Sequence, residues 1–301
     1  MEVYLKVLRS NGKKSWLQTF RLNLHENATV LDALREAKEK LAPSLAFRAS
    51  CRSRICGACA VRINGVARLA CGTKIGEVAR KGVIRVEPLR GARVIKDLVI
   101  DESDFWKKIA AVEPWMAWKG GRMSRAELER IGSAADCIKC WACMSECDVA
   151  CEDRGFLGPA PAAVAWRFVA DKRDGRKRER LEDAVRLGLW KCAHAYACSE
   201  VCPKKVDPLE AIAKLREEAL RHGLTASDGA RHVLAFVELV RKSGRLDEAL
   251  LIPLTLGVKS MREIPMALRL LKKGKLPFPR VRAIRDAESA RRMLEGNGGG
   301  R

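Results

Sequence analysis

Residues 137–151, CIKCWACMSECDVAC, hold five cysteines at close and regular intervals. Cys137, Cys140, Cys143 and Cys147 form a C-x2-C-x2-C-x3-C run, the spacing that folds a short loop around an iron–sulfur cluster. In two-cluster ferredoxins the first three cysteines of such a run bind one cluster and the fourth crosses to the other. The run therefore requires a second cysteine group, and Cys192, Cys198 and Cys202 supply it, the last followed by Pro203. The second run repeats the first with Ala195 in place of the middle cysteine. Counting ligands, Cys137, Cys140, Cys143 and Cys202 predict a 4Fe–4S cluster. Cys147, Cys192 and Cys198 give only three thiolates. A cubane corner without a thiolate loses its iron easily, so this second site reads as 3Fe–4S.

A third group lies nearer the N-terminus. Cys51, Cys56 and Cys59 sit in SCRSRICGAC, and Cys71 follows a short hairpin, AVRINGVARLA, that turns at Asn64-Gly65. C-x4-C-x2-C…C is the plant-type 2Fe–2S spacing. Gly57 lets backbone N–H groups approach the cluster sulfurs with no Cβ in the way. Upstream, Val3, Leu5 and Val7 alternate with polar residues, Asn11-Gly12 supplies turn chemistry, and Trp16 to Leu24 returns as a second strand. Thr29 precedes Asp32 by three residues, a capping-box start for a helix carrying Val30, Leu31, Leu34 and Leu41. Hairpin, helix and cluster loop, in that order, are what a β-grasp ferredoxin needs.

Downstream the pattern is helical. Ala134–Lys139 leads into the first cluster loop, Ala162–Val169 reads as amphipathic, and Leu181–Leu189 as a further helix. Asp207-Pro208 is a helix start, with Leu209, Ile212, Leu215 and Ala219 on the buried face. The stretch DKRDGRKRER at 171–180 reads as a solvated basic loop; aromatics are sparse around it, so no nucleic-acid partner is expected. Beyond residue 222, helices are expected from Ser227 to Ser243 (Val233, Phe236, Val237 and Val240 inward), after Gly244, and before Lys272-Lys273-Gly274. The final GNGGG reads as disordered.

Composition limits the alternatives. The chain has 301 residues, enough for two or three domains. Twelve cysteines behind a start without a secretory pattern, MEVYLK, point to a reducing compartment and metal ligation, not disulfides. Structural zinc would want paired C-x2-C knuckles with four ligands per site. No apolar run approaches the roughly 18–20 residues of a bilayer span. A formal net charge of +21 implies an acidic partner surface: another subunit, anionic lipid or nucleic acid.

With these motifs in place, residues 50–73, VIKDLVID at 94–101, the 137–151 run, FLGPAPAAVAWRFVADKRD at 156–174 and WKCAHAYACSEVCPKKVDP at 190–208 together resemble the iron–sulfur subunit of succinate dehydrogenase and fumarate reductase. The resemblance covers about residues 1–222. It implies an α+β chain, with a β-grasp 2Fe–2S ferredoxin domain (1–100) and an all-α two-cluster ferredoxin domain (101–222); the helical, basic extension (223–301) lies beyond the usual end of the family. It also implies an oxidoreductase subunit without a substrate site or catalytic residues of its own. Electrons would pass from an FAD-binding flavoprotein subunit through 2Fe–2S, 4Fe–4S and 3Fe–4S to quinone at a membrane-anchor subunit. The place would be peripheral, on the cytoplasmic side of the cell membrane. A thiol- or heterodisulfide-linked fumarate reductase subunit is the alternative, since RHVLAFVELVRKSGRLDEALL resembles the small iron–sulfur subunit of heterodisulfide reductases; a zinc-bound nucleic-acid-binding protein is a third reading.

Three departures from the family pattern stand out. Asp148 takes the place of a proline, Glu152 that of a tryptophan and Ala193 that of a histidine, with His194 one residue away. These changes bear on the quinone pocket. Cys151 is the odd thiol: a buried free cysteine, or a fourth ligand to the terminal cluster.

Overall fold

The computed structural model describes residues 1–275 and 283–296, and all of the GNGGG run except its first glycine lies outside them. Two compact units make up the chain, Met1–Glu218 and Ala219–Arg301. The first begins with β1 (Glu2–Ser10) and β2 (Ser15–Asn23), paired antiparallel from Glu2↔Asn23 to Ser10↔Ser15 around the Asn11-Gly12 turn. Val3, Leu5 and Val7 are fully buried, as the period-2 alternation requires. α1 (Val30–Glu36) starts with the expected capping box: Thr29 accepts from the Asp32 N–H while the Asp32 carboxylate accepts from the Thr29 N–H. Val30, Leu31, Ala33 and Leu34 turn inward; Leu41, in the π-helical turn that ends the helix, is 53% exposed and leaves the predicted face.

β3 (Ala60–Ile63) and β4 (Val66–Leu69) form the hairpin at Asn64-Gly65, and a short α2 (Ile75–Val78) precedes β5 (Val83–Glu87). The sheet order is β2-β1-β5-β3-β4, with β1 and β5 parallel at its centre. A small hairpin, β6 (Val94–Lys96) and β7 (Val99–Ile100), closes this half.

The alternation in β1 breaks at its end, where Arg9 and Ser10 are buried. The reason lies 88 residues away: Arg9 Nε donates to Asp97 Oδ1 at 2.8 Å, beside the Ser10 N–H at 3.0 Å. The Ala46 N–H takes the other carboxylate oxygen at 2.8 Å. One buried carboxylate thus ties β1, the segment before the first cysteine loop and the β6–β7 turn.

The rest of this unit is helical: α3 (Ser103–Ala111), α4 (Arg125–Ala135), α5 (Ala142–Ser145), α6 (Asp148–Glu152), α7 (Pro159–Val169), α8 (Lys177–Arg186), α9 (Ala197–Glu200) and α10 (Pro208–Arg221). Three expectations need correction. The helix before the first cluster loop ends at Ala135, because Asp136 closes it and the following residues adopt loop backbone. α7 is not amphipathic: eight of its eleven residues are buried, since it runs against α3, α4, α5 and α8. Its alanines and prolines allow that crowding.

Nor is 171–180 a solvated loop. Asp171 and Asp174 are both 1% exposed and Arg180 is 3% exposed. Arg173 grips Asp171 through Nε at 2.9 Å and NH2 at 2.8 Å. Arg180 grips Asp174 and donates to the carbonyls of Val112 at 3.1 Å and Trp115 at 2.6 Å. Arg173 and Arg180 thus neutralise the two buried aspartates, Arg176 pairs with Glu113, and the Ala117 N–H donates to Asp174 at 3.0 Å, fixing the 112–118 segment. At the Asp207-Pro208 start, Asp207 accepts from the Glu210 N–H at 3.1 Å, as a cap should.

In the second unit, α11 (Asp228–Ser243) is capped by Ser227 and stopped by Gly244, whose φ of +70° a glycine adopts without strain. α12 (Glu248–Leu256), α13 (Ile264–Lys272) and α14 (Ala287–Gly296) follow. The predicted inward face of α11 is corrected: Ala230, Ala235 and Leu239 are buried, while Phe236 and Val237 are 42% and 39% exposed. The apolar stripe is wide, and sequence alone does not say which edge of it packs.

Removing the Asp97 carboxylate leaves Arg9 buried without its partner and two backbone donors unpaired. Asp97→Ala should therefore cost about 3–5 kcal/mol. A denaturant titration followed by circular dichroism and visible absorption should show a lower midpoint; an unchanged midpoint would show that the clasp is not under load.

Candidate metal centres

In the first loop Cys51 and Cys56 are exposed, and Cys59 and Cys71 are buried. The loop wraps its backbone around the thiols. N–H groups of Ser53, Ile55 and Cys56 donate to Cys51 Sγ at 3.4, 3.4 and 3.2 Å. The Arg54 N–H donates to Cys71 Sγ at 3.4 Å. Positive φ at Arg52 (56°), Arg54 (60°) and Gly57 (75°) turns these donors inward. The donors, led by the Ser53 N–H, hold the Cys51 thiol at about 6, so it is poised as a thiolate. Burial pushes Cys59 up to about 12. A buried thiolate of that kind needs the positive charge of a metal beside it.

The two helical-domain loops are copies of one another. Lys139 (φ 54°) and Trp141 (φ 68°) in the first match His194 (56°) and Tyr196 (67°) in the second. Trp141 then opens α5, as Tyr196 opens α9. The Lys139 N–H faces Cys137 as the His194 N–H, at 3.5 Å, faces Cys192. In this register Ala195 occupies the position of Cys140.

The thiols group across the loops. Cys137, Cys140, Cys143 and Cys202 line one cavity with Ala160 and Val206. Burial, then the nearness of Cys137 and Cys202, pushes Cys140 up to about 11. Cys143 is raised further, by burial first and then by its neighbours. In the other group, burial raises Cys147, with Cys192 adding to the shift. Cys198 is pushed up to about 11 by burial, with Cys147 and Cys192 again adding. Among the described residues, no three His, Cys, Asp or Glu side chains converge as on a single metal ion. The donor sets suit polynuclear iron–sulfur clusters: thiols only, around shared spaces, each loop supplying N–H groups to sulfur.

Cys151 points elsewhere. Its Sγ lies 3.7 Å from the Met144 carbonyl oxygen and 3.6 Å from that of Ser145, as a donor. It packs beside Gly91, where a Cβ would come within 3.1 Å of the sulfur. Asp148, in the first turn of α6, pairs with Arg90 at 2.8 Å. Glu152 and Ala193 are exposed. His194 is exposed too, with Nε2 2.6 Å from Arg216 NH1; a guanidinium only donates, so Nε2 accepts. Arg216 also donates to the carbonyl of Cys192 at 3.0 Å and stacks over Trp190 at 5.1 Å.

Sequence reasoning missed how the two cluster-bearing halves meet. A Cβ on Gly57 would lie 2.7 Å from Cys140 Cβ, so the first loop touches the second directly. Glu146 accepts from Arg62 Nε at 3.1 Å and from the Ala67 N–H at 3.2 Å. Trp141 Nε1 donates to the Arg90 carbonyl at 3.0 Å. A glycine in a cysteine loop has a local explanation at hand, which hid this second role.

A β-grasp module with a plant-type cysteine loop, joined to a helical module with two mirrored cysteine loops, defines an iron–sulfur electron carrier. Family models agree: a 2Fe–2S iron–sulfur cluster binding domain matches residues 4–107, and a 4Fe–4S dicluster domain matches residues 133–206. The 8-methylmenaquinol:fumarate reductase iron–sulfur subunit of Wolinella succinogenes is 36% identical over 283 residues, covering 89% of each chain. A fumarate reductase iron–sulfur subunit of Mycobacterium tuberculosis is 38% identical over 216 residues, 69% of this chain and 87% of that one. The Sdh1 complex of Mycobacterium smegmatis in the apo form contains a chain that superposes with a TM-score of 0.68 at 27% identity, covering 73% of this chain and 96% of that one. This chain belongs to the iron–sulfur subunit family of fumarate reductase and succinate dehydrogenase. The match to the Wolinella subunit is longer than residues 1–222 can supply, so it includes part of the extension.

Gly57→Ala should drive a methyl group into Cys140 while straining a positive-φ position. The expected loss is about 1–3 kcal/mol from overpacking alone. It should appear as a lower thermal midpoint and as weaker spin–spin relaxation between reduced centres, with iron content retained; parental values for both would refute the close contact.

Proposed function

We propose that Cys51, Cys56, Cys59 and Cys71 hold a 2Fe–2S cluster, Cys137, Cys140, Cys143 and Cys202 a 4Fe–4S cluster, and Cys147, Cys192 and Cys198 a 3Fe–4S cluster. When bound, these groups supply one-electron redox chemistry. The chain's own residues hold thiolates in place, donate N–H groups to sulfur and keep water from the central site. The single observation that carries the ligand assignment is the register of the mirrored loops, in which Ala195 stands where Cys140 stands. Cys151 is a structural thiol on this reading, engaged with the Met144 and Ser145 carbonyls.

The chain then relays electrons within a fumarate reductase or succinate dehydrogenase complex. An FAD-bearing subunit would dock where Cys51 and Cys56 are exposed and Ile55 is 59% exposed. A quinone at a membrane-anchor subunit would meet the exposed 193–196 loop. Similarity to the Wolinella 8-methylmenaquinol:fumarate reductase subunit supports a menaquinol–fumarate couple, and the relatives do not favour the thiol-linked alternative. The quinone contacts would differ from the family pattern, since Glu152 and Ala193 replace a tryptophan and a histidine. The domain limits at 100 and 222 and a place on the cytoplasmic face of the membrane belong to the same proposal.

The experiment is electron paramagnetic resonance on the air-oxidised protein. The native chain should show the signal of an oxidised 3Fe–4S centre. Ala195→Cys should lose it, gain a second 4Fe–4S cluster and lower the terminal potential. A native protein without the signal, in which Cys151→Ser restores it, would overturn the three-thiolate assignment.

A further inference from the structure

The second unit carries an apolar face that the relay does not use. Leu254, Val258, Met261, Ile264, Leu268 and Leu271 are 49, 83, 64, 49, 53 and 47% exposed. They recur at steps of four, three, three, four and three along α12, a 3₁₀ turn (Gly257–Glu263) and α13; Gly257, at φ +55°, turns the backbone after α12, and Ile264, Leu268 and Leu271 share one face of α13. α13 has no buried residue at all. A groove lined by Ile252, Pro253, Met266 and Leu270 opens beside the row, with Ile264 at the edge between the two. The exposed row leaves α13 without a buried face, while α12 packs on α11.

Charge selects the occupant. Residues 257–275 contain Lys259, Arg262, Arg269, Lys272, Lys273 and Lys275 against Glu263 as the one acid. Lys259 is engaged by Asp228 at 3.4 Å; Arg262, Arg269, Lys272, Lys273 and Lys275 are exposed. Long cationic side chains beside an exposed apolar row are what an interfacial helix needs: the stems lie along the acyl boundary while the charges reach anionic headgroups. Among the described residues no helix is long and apolar enough to cross a membrane, so this pair would lie on a bilayer and not span it.

We propose that the exposed apolar row of α12 and α13 is a peripheral docking surface for an anionic lipid bilayer. The interaction is apolar insertion of the Leu254–Leu271 row, strengthened by headgroup contacts from the cations at 262–275. It stands independently of the cluster ligands, and its test reads lipid binding while cluster absorption reports separately on the metal sites.

The full-length chain, loaded with clusters anaerobically, is floated with vesicles of phosphatidylcholine alone and of phosphatidylcholine mixed with phosphatidylglycerol. The expected result is binding to the mixed vesicles and little to the neutral ones. Leu268→Asp combined with Leu271→Asp should weaken binding by about tenfold or more. Lys272→Gln combined with Lys273→Gln should weaken it several-fold and flatten its salt dependence. Both pairs change exposed side chains, so cluster absorption should match the parent. Hydrogen exchange on the unaltered chain gives a readout that needs no variant: vesicles should slow exchange selectively within residues 250–275. Absence of vesicle binding overturns the proposal. So does binding that the Leu268 and Leu271 changes leave intact, which would mark it as adsorption by net charge. Stripe variants that keep vesicle binding but lose co-purifying subunits would assign the face to a protein partner instead.

Discussion

On the proposed ligand assignment neither loop of the helical domain surrounds a cluster by itself, and the packing of that domain answers this shortage. On the proposed assignment Cys202 must reach Cys137, Cys140 and Cys143, and Cys147 must reach Cys192 and Cys198. Two segments about 50 residues apart in sequence have to lie against each other to within the width of a cluster. The left-handed residues at 139, 141, 194 and 196 bend each loop so that its thiols face inward and its short helix leads away. α7 provides the floor on which this happens. Its run of prolines and alanines brings backbone close to backbone, where larger side chains would hold the loops apart.

The cost of such burial is electrostatic. Thiols at Cys140, Cys143 and Cys198 are pushed upward because their thiolates would sit unsolvated beside other sulfurs. Iron relieves this by supplying positive charge at the point where the sulfurs meet, so metal binding and folding are linked in the helical domain. The first loop solves the same problem differently. It stays near the surface and lowers Cys51 with three backbone N–H donors. An exposed loop is also one that a partner can approach.

Between these two solutions lies a tight seam. Gly57 meets Cys140, Glu146 reaches back to the β3–β4 hairpin, and Trp141 is anchored on the Arg90 carbonyl. Half-buried polar pairs of this kind contribute modest net stability but penalise a shifted arrangement, because a displaced Arg62 or Glu146 loses its partner. For a relay, fixed spacing matters more than strength. The Arg173–Asp171 and Arg180–Asp174 clasps serve the same end by holding the connecting segment against the helices.

Much of this was legible in the chain itself. Cysteine spacing, turn dipeptides, the Thr29 capping box and the Asp207-Pro208 start are local signals whose meaning does not depend on distant residues. They gave the 2Fe–2S and 4Fe–4S classes, the hairpins and the order of the modules. What sequence could not give were choices between partners remote along the chain. The run at 171–180 reads as solvated because lysines and arginines crowd it, whereas Asp171 and Asp174, which bind Arg173 and Arg180, are buried. The burial of Arg9 depends on Asp97, 88 residues further along the chain. The faces of α7 and α11, the direction of the Cys151 thiol and the contact between Gly57 and Cys140 were likewise settled only in three dimensions. Local pattern encodes the conformation of a segment; packing decides which of its surfaces lose water, and that depends on neighbours that local sequence does not name.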